Sequence, residues 1–431
     1  MKKLKIGVLG LYRGSSMINY CEAAENAEIV AICDKWEDGI RRQKEALGDK
    51  VTFYRDFEDF IKHDMDAVVL ANYANEHAPF AVRCLRAGKH VFSEVLPAQN
   101  MKEAIELVEA VKSSGKVYAY GENYCYMPGT CEMKKLYCQG EIGEIEYAEA
   151  EYIHNCEPIW ANITYGDKDH WRNNMYATFY CTHSLGPIIH ITGLRPVSVV
   201  GFEGRINERG LRTGVKSGSY GIEMVTLENG AVIKSIHGGL YKNSIWYCIY
   251  GGKGRMETAR FDAKAGDIRR LYVNADEYSG QYEGEKLVSY EPVQRFDDKA
   301  AAFGHGGSDF YSMYNFVEKA LGNEKADTID VYEALDMFLP GMFAYRSILQ
   351  GGISVEIPDI RKDVDREKYR NDTMCTDPKA AGNMYIPPYS KGTPQIDDNV
   401  YENMKNIWSQ KLKEGGTYLT NVFEQGKMTK R

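Results

Sequence analysis

The chain has no run of 18 apolar residues, so nothing in it is expected to cross a membrane as a helix. Its 10 cysteines contain no CxxC pair. The spacing of Cys125, Cys131 and Cys138 fits no common zinc pattern, and no metal is expected. There is no basic stripe: 53 Lys and Arg against 61 Asp and Glu leave a net charge of −8, which argues against nucleic acid as a partner. The opening MKKLKIGVLGLYRG has two lysines and a short apolar stretch but no small-residue cleavage site, so it reads as a strand rather than an export leader. With no leader and only lone thiols, a reducing, cytoplasmic setting is expected. Internal repeats and low-complexity tracts are also absent.

What is there is an ordinary folded composition, 44% apolar and 26% charged, over 431 residues, enough for two or three domains. The first 120 residues alternate β-branched runs (Lys5–Leu9, Ile29–Cys33, Ala67–Ala71, His90–Phe92, Val117–Tyr120) with amphipathic stretches starting near Ser15, Trp36, Phe57, Ala78 and Met101. Strands and helices alternating at this spacing predict a doubly wound parallel sheet, an α/β Rossmann domain over residues 1–125. The pattern then changes to strand candidates at Glu146–His154, Val197–Glu203, Gly221–Glu228, Ala231–His237, Ser244–Gly251 and Gly254–Thr258, with helices at Pro128–Gln139, Leu185–Thr192, Asp309–Leu321 and Asp330–Leu349. This predicts an α+β domain with an open, mostly antiparallel sheet over residues 126–360, serving substrate and oligomer contacts. Residues 361–431 read as a C-terminal extension: a Pro-, Gly- and Asn-rich crossing, a last helix over Val400–Leu412 and a frayed end. An open sheet face invites pairing, so a homo-oligomer is expected.

The first strand ends in Gly10-Leu11-Tyr12-Arg13-Gly14 just before a helix, where small residues let the backbone approach a pyrophosphate. Twenty-four residues after Gly10, the second strand ends in Asp34, placed to accept both ribose hydroxyls and to repel a 2′-phosphate; NAD is the cofactor expected. Further strand ends carry Asn72, Asn75 and His77, then Glu94 and Val95, then Asn123, a set suited to ribose and nicotinamide. A turn glycine and helix-capping residues are the bland alternative for each position taken singly. Thirty-one tyrosines, each with an apolar face and a hydroxyl tip, suit sugar rings, although half-buried strand tyrosines account for most.

AGKHVFSE at the fourth strand and GEIGEI leading into an open sheet resemble the Gfo/Idh/MocA oxidoreductase family over roughly residues 3–360. Most sugar dehydrogenases of that family carry Glu-Lys-Pro where this chain has Glu94-Val95-Leu96-Pro97, and a histidine where it has Gly186. Both departures, with Glu122-Asn123-Tyr124-Cys125-Tyr126, Tyr152-Ile153-His154, Trp171-Arg172, the stretch YCTHSLGP (180–187) and GHGGSD (304–309), are similar to glycoside hydrolase family 109, the NAD-dependent glycosidases, or a sister family of the same chemistry.

The resemblance implies oxidation of a sugar at C3, loss of the acidified C2 proton, expulsion of the C1 group, water addition and re-reduction on a retained NAD. It makes Tyr126 the C2 base, with Tyr180 and His183 holding the sugar and polarising the C3 oxygen. Tyr152, Thr182 and Tyr241 become substrate contacts, His305 and Asp309 secondary sugar contacts, and Arg172 a cofactor contact beside Tyr12, Arg13 and Gly14. The route fits a chain with no convincing pair of carboxylates for direct hydrolysis of a small glycoside. Two alternatives stand beside it: an NAD-dependent sugar dehydrogenase or 3-oxidase, and a non-catalytic sensor of nucleotide and sugar.

Overall fold

The computed structural model describes residues 2–260, 269–276 and 285–414; most of the expected frayed end lies outside them. Six strands, β1 Leu4–Leu9, β2 Ala27–Cys33, β3 Thr52–Tyr54, β4 Ala67–Leu70, β5 His90–Ser93 and β6 Tyr118–Tyr120, form one parallel sheet in the order β3-β2-β1-β4-β5-β6. The inner strands are continuous apolar runs because helices cover both faces of the sheet. The helix Met101–Ser114 shows how the local chemistry sets its start: Asn100 Oδ1 accepts from the Glu103 N–H at 3.0 Å, and the Glu103 carboxylate reaches back to the Gln99 N–H at 2.9 Å. The strand order reverses between β1 and β4, and ligands of such sheets sit at the carboxyl ends beside that reversal. Three-residue β3, an edge strand, has too few residues to show a period and is absent from the sequence reading.

The second sheet has nine strands: β7 Ile145–Ile153, β8 Pro196–Glu203, β9 Tyr220–Leu227, β10 Val232–Gly238, β11 Ser244–Gly251, β12 Gly254–Thr258, β13 Leu271–Asp276, β14 Glu285–Tyr290 and β15 Val355–Glu356. Their order is β14-β13-β12-β11-β7-β10-β9-β8-β15, antiparallel except where β10 lies parallel to β7. Its inner face packs on the helices Thr182–Thr192 and Val331–Leu349. The approach is close: a Cβ at Gly201 would lie 2.2 Å from the Ala344 carbonyl oxygen, and one at Gly341 2.1 Å from that of Thr178. The last helix, Asp398–Lys413, lies against the short helix Trp160–Thr164. Among the described residues no helix is long and apolar enough to cross a membrane.

Candidate functional site

Two cavities meet at Arg13. The first, about 520 Å³, lies at the carboxyl ends of β1, β2 and β4. Gly10 forms its floor with φ +96°, and a Cβ there would stand 2.5 Å from the Ala71 carbonyl. Only glycine lets the chain turn this tightly. The helix Leu11–Ala23 starts at once, four residues earlier than the sequence predicts, because the Leu11 N–H finds a cap in Asp34 Oδ2 at 2.5 Å while Trp36 N–H donates to Oδ1 at 2.8 Å. Tyr12 and Arg13 therefore line the cavity from the first helical turn rather than from a loop. Gly14 does not line it: a Cβ there would meet Val8 Cγ1 at 2.6 Å, so this glycine serves helix-on-strand packing. The roof comes from elsewhere in the chain, with Tyr165, His170, Trp171, Arg172, Trp408 and Lys411 closing over the nucleotide end.

These residues fit a dinucleotide. Asp34 borders the cavity with lone pairs to spare, the buried Asn72 Oδ1 has no hydrogen-bond partner among the described residues, and the Gly10 cradle is one a side chain would fill. Of the cations bordering this end of the cavity, Lys35 and Arg55, Arg55 is engaged by Glu37 at 2.9 Å.

At the junction the Arg13 guanidinium forks onto Asp309, with both N–O distances 2.7 Å, and stands 2.9 Å from Glu94. Asn123 Nδ2 donates to Asp309 at 3.4 Å, and His305 Nδ1 lies 3.1 Å from it. Burial opposes charge on Asp309, but Arg13 and His305 outweigh it and hold the carboxyl well below the ordinary range. Burial pushes Glu94 up, with Arg13 opposing. Asp309 is 1% exposed and lines neither cavity, which corrects its reading as a sugar contact: it anchors Arg13. His305 does line the second cavity, as do Glu94, Val95 and Asn123. His77 also borders it, yet its ring nitrogens face the Leu96 and Asn72 carbonyls at 2.9 and 3.3 Å; burial pushes its pKa down to about 4, so it stays neutral and pins the turn after Glu94. Asn75 borders neither cavity; its carbonyl takes the Gln99 amide at 2.8 Å, and its buried Oδ1 has no hydrogen-bond partner among the described residues.

The second cavity, about 320 Å³, runs from Glu94 and Asn123 over the inner face of the nine-stranded sheet. At its near end His183, in the first turn of Thr182–Thr192, places Nδ1 2.8 and 2.9 Å from the two oxygens of Glu122. Glu122 is fully buried and also accepts from the Thr182 hydroxyl at 2.9 Å and the Tyr124 N–H at 3.2 Å. A carboxylate on one ring nitrogen fixes the proton there and leaves Nε2 as an acceptor. The rings of Tyr124, Tyr152 and Tyr180 surround the imidazole at 4.8, 4.6 and 5.0 Å. Arg172 lies 4.4 Å over the Trp171 ring and 5.7 Å over the Tyr180 ring; burial raises the Tyr180 phenol and Arg172 opposes the rise. Arg172 borders both cavities.

Three expected residues fall outside this arrangement. The Tyr126 hydroxyl donates to the Asp327 carbonyl at 2.9 Å, its ring packs on His190, and burial pushes its phenol well above the ordinary value. It borders neither cavity and is not the C2 base. Thr182 is fully buried between Tyr120 and Glu122, so it steadies the carboxylate instead of touching a sugar. Tyr241 is 63% exposed, flanked by Arg209 and Lys242 outside the cavity lining. Conversely, the sequence reading passed over Glu122, whose signal was an acid at the end of an apolar strand, and His154, Arg209 and His237, which border the second cavity.

Residues 4–122 match the model for the oxidoreductase family with an NAD-binding Rossmann fold, and residues 264–365 match the glycosyl hydrolase 109 C-terminal domain. A glycosyl hydrolase family 109 protein of Solibacter usitatus is 26% identical over 83% of this chain and 88% of its own length. Family 109 protein 5 of Phocaeicola vulgatus is 27% identical over 84% of this chain and 78% of its own. Among solved structures, an Agrobacterium radiobacter oxidoreductase in complex with NAD+, L-tartaric acid and magnesium superposes with a TM-score of 0.66 at 15% identity, covering 83% of this chain and 99% of that one. Myo-inositol 2-dehydrogenase of Lactobacillus plantarum gives 0.64 at 19%, covering 83% and 100%. Such identities speak for the fold alone. The Rossmann sheet, the open second sheet and the two family matches together place the chain in the Gfo/Idh/MocA oxidoreductase family, among proteins of the glycosyl hydrolase family 109 type.

Proposed function

We propose that this protein is an NAD-dependent glycosidase that cleaves a small glycoside by transient oxidation and elimination and keeps its cofactor throughout. The observation that carries the reading is the Glu122–His183 pair, which faces a cavity opening onto the nucleotide cleft. The two carboxylates bordering that cavity are both committed to arginines, Glu94 to Arg13 and Glu157 to Arg212 at 2.5 Å, so a free pair for direct hydrolysis is missing among the described residues.

NAD would lie with its pyrophosphate at Gly10 and the helix start, a ribose at Asp34 and its nicotinamide near Glu94 and Asn123. When bound, it supplies a reversible hydride acceptor for a sugar C–H, which acidifies the neighbouring carbon. Tyr180, with Arg172 over its ring, hydrogen-bonds the C3 oxygen and relays the hydroxyl proton to water on oxidation and back on re-reduction. His183 Nε2 takes the C2 proton, and Glu122 stabilises the imidazolium that forms. Tyr152 packs the sugar against His183. The roof of Tyr165, Trp171 and Trp408 supports retention of the cofactor.

The fold is shared with myo-inositol 2-dehydrogenase, which keeps a sugar dehydrogenase as the second reading. Purified protein given a 4-nitrophenyl glycoside and no added nucleotide separates the two. Release of nitrophenol with no net absorbance at 340 nm is expected. Steady NADH formation on added NAD+, with the glycosidic bond intact, would replace the glycosidase by the dehydrogenase.

A further inference from the structure

A second histidine lines the same cavity, His237, with a glutamate buried behind it. His237 on β10 is 2% exposed and Glu223 on β9 fully buried, with Nδ1 and Oε1 3.4 Å apart. Both ring nitrogens and both carboxylate oxygens lack a hydrogen-bond partner among the described residues. Burying four such atoms unsatisfied is costly; a fold keeps such groups for a catalytic role or for a bound water, ion or ligand, and the cavity at His237 gives one access.

The location says what the ligand presents. His237 borders the cavity beside Gly238, Gly239 and Ser219. In the parallel β7–β10 ladder it stands opposite Tyr152, whose ring packs 4.6 Å from that of His183. Neighbouring strands lie about 4.8 Å apart and paired residues share a face, so His237 stands beside Tyr152 on the face that also meets His183. Elimination across adjacent sugar atoms needs two such groups: one removes a proton from carbon, and another supplies one to the departing oxygen.

We propose that His237, held by Glu223, is the general acid on the glycosidic oxygen and afterwards the base on the incoming water. The inference rests on the glycosidase reading above. As His183 Nε2 takes the C2 proton of the 3-keto sugar, the C–H electrons form the C1–C2 double bond and the C1–O bond breaks. The departing oxygen keeps that bond's electron pair and takes the proton from the His237 imidazolium. Water then bonds to C1, its proton passing to His237, and His183, whose N–H exchanges with solvent in the interval, protonates C2, so both histidines end as they began.

Matched 4-nitrophenyl and methyl glycosides of one hexose test the assignment in the full-length protein, as wild type, His237→Asn and Glu223→Gln. Nitrophenolate needs no proton to leave and methoxide does. His237→Asn is expected to lose about 100-fold or more in kcat/KM on the methyl glycoside and under about 5-fold on the nitrophenyl one. Deuterium exchange at C2 should persist in the variant. Should His237→Asn not fold, Glu223→Gln, of the same volume, is expected to show a smaller loss of the same selectivity. Equal losses on both substrates, with C2 exchange intact, would overturn the role of His237 and spare the glycosidase. A wild type that cleaves neither substrate and exchanges nothing at C2 would bring down both.

Discussion

The two cavities that meet at Arg13 are built by different means. The nucleotide cavity is framed by backbone: a glycine at φ +96°, a helix start capped by Asp34, and strand ends in sequence order along one sheet. The second cavity depends on side-chain pairs that tertiary packing brings together, Glu122 with His183 across 61 residues and Glu223 with His237 across a strand pair. The first kind of site holds a ligand all proteins of the fold can share, whereas the second decides what is done to a partner molecule. Arg13, clamped between Glu94 and Asp309, joins them.

If the division is right, the largest effect on turnover comes from the side-chain cavity. Glu122→Gln removes the charge behind His183 and should lower kcat by about 10³- to 10⁴-fold, while nucleotide content by mass spectrometry stays unchanged. Loss of nucleotide as well would blur the two regions into one. In the backbone-framed cavity, Gly10→Val forces a side chain onto Ala71 at a disfavoured φ. A stability loss of about 3 kcal/mol and loss of bound nucleotide are expected in thermal denaturation and mass spectrometry.

Acid should loosen the junction next. His77 is neutral in the fold, with its pKa pushed down by burial to about 4 against 6.5 in the unfolded chain. Between those values the unfolded chain binds a proton that the folded one refuses. Stability from this group is therefore full above pH 6.5 and falls as pH drops towards 4, by up to about 3 kcal/mol. Urea titrations of wild type and His77→Gln across that window should converge at low pH; parallel curves would remove His77 from the account. The smallest effect is expected at Tyr126, where Phe loses one hydrogen bond to the Asp327 carbonyl: about 1 kcal/mol of stability, and turnover within about 3-fold of wild type.

Legibility in the sequence follows the same division. That Gly10, Asp34, Glu94 and Asn123 border a cavity at the strand ends was legible because a strand, its end and the next helix are neighbours along the chain, so local periodicity places them. Tyr126 was misplaced because Asn123–Tyr126 is a single 3-10 turn: Glu122 before it faces His183, Asn123 faces the nucleotide side, and Tyr126 points back to Asp327. Sequence spacing does not tell which way so short a turn aims each side chain. The amphipathic pattern of Asp398–Lys413 announced a helix but not the surface its apolar side covers, which turns out to be the nucleotide roof. His237 sat in a strand that was correctly expected, and only the ladder register with β7 and β9 sets it beside Tyr152 and Glu223.

The central claim is that the C2–H bond of the sugar is broken and remade during cleavage. Turnover of a 4-nitrophenyl glycoside in D₂O, with the released sugar examined by proton NMR, tests it most directly. One deuterium at C2 of each product molecule, with no net NADH, is the expected result. Cleavage that leaves protium at C2 would contradict the account.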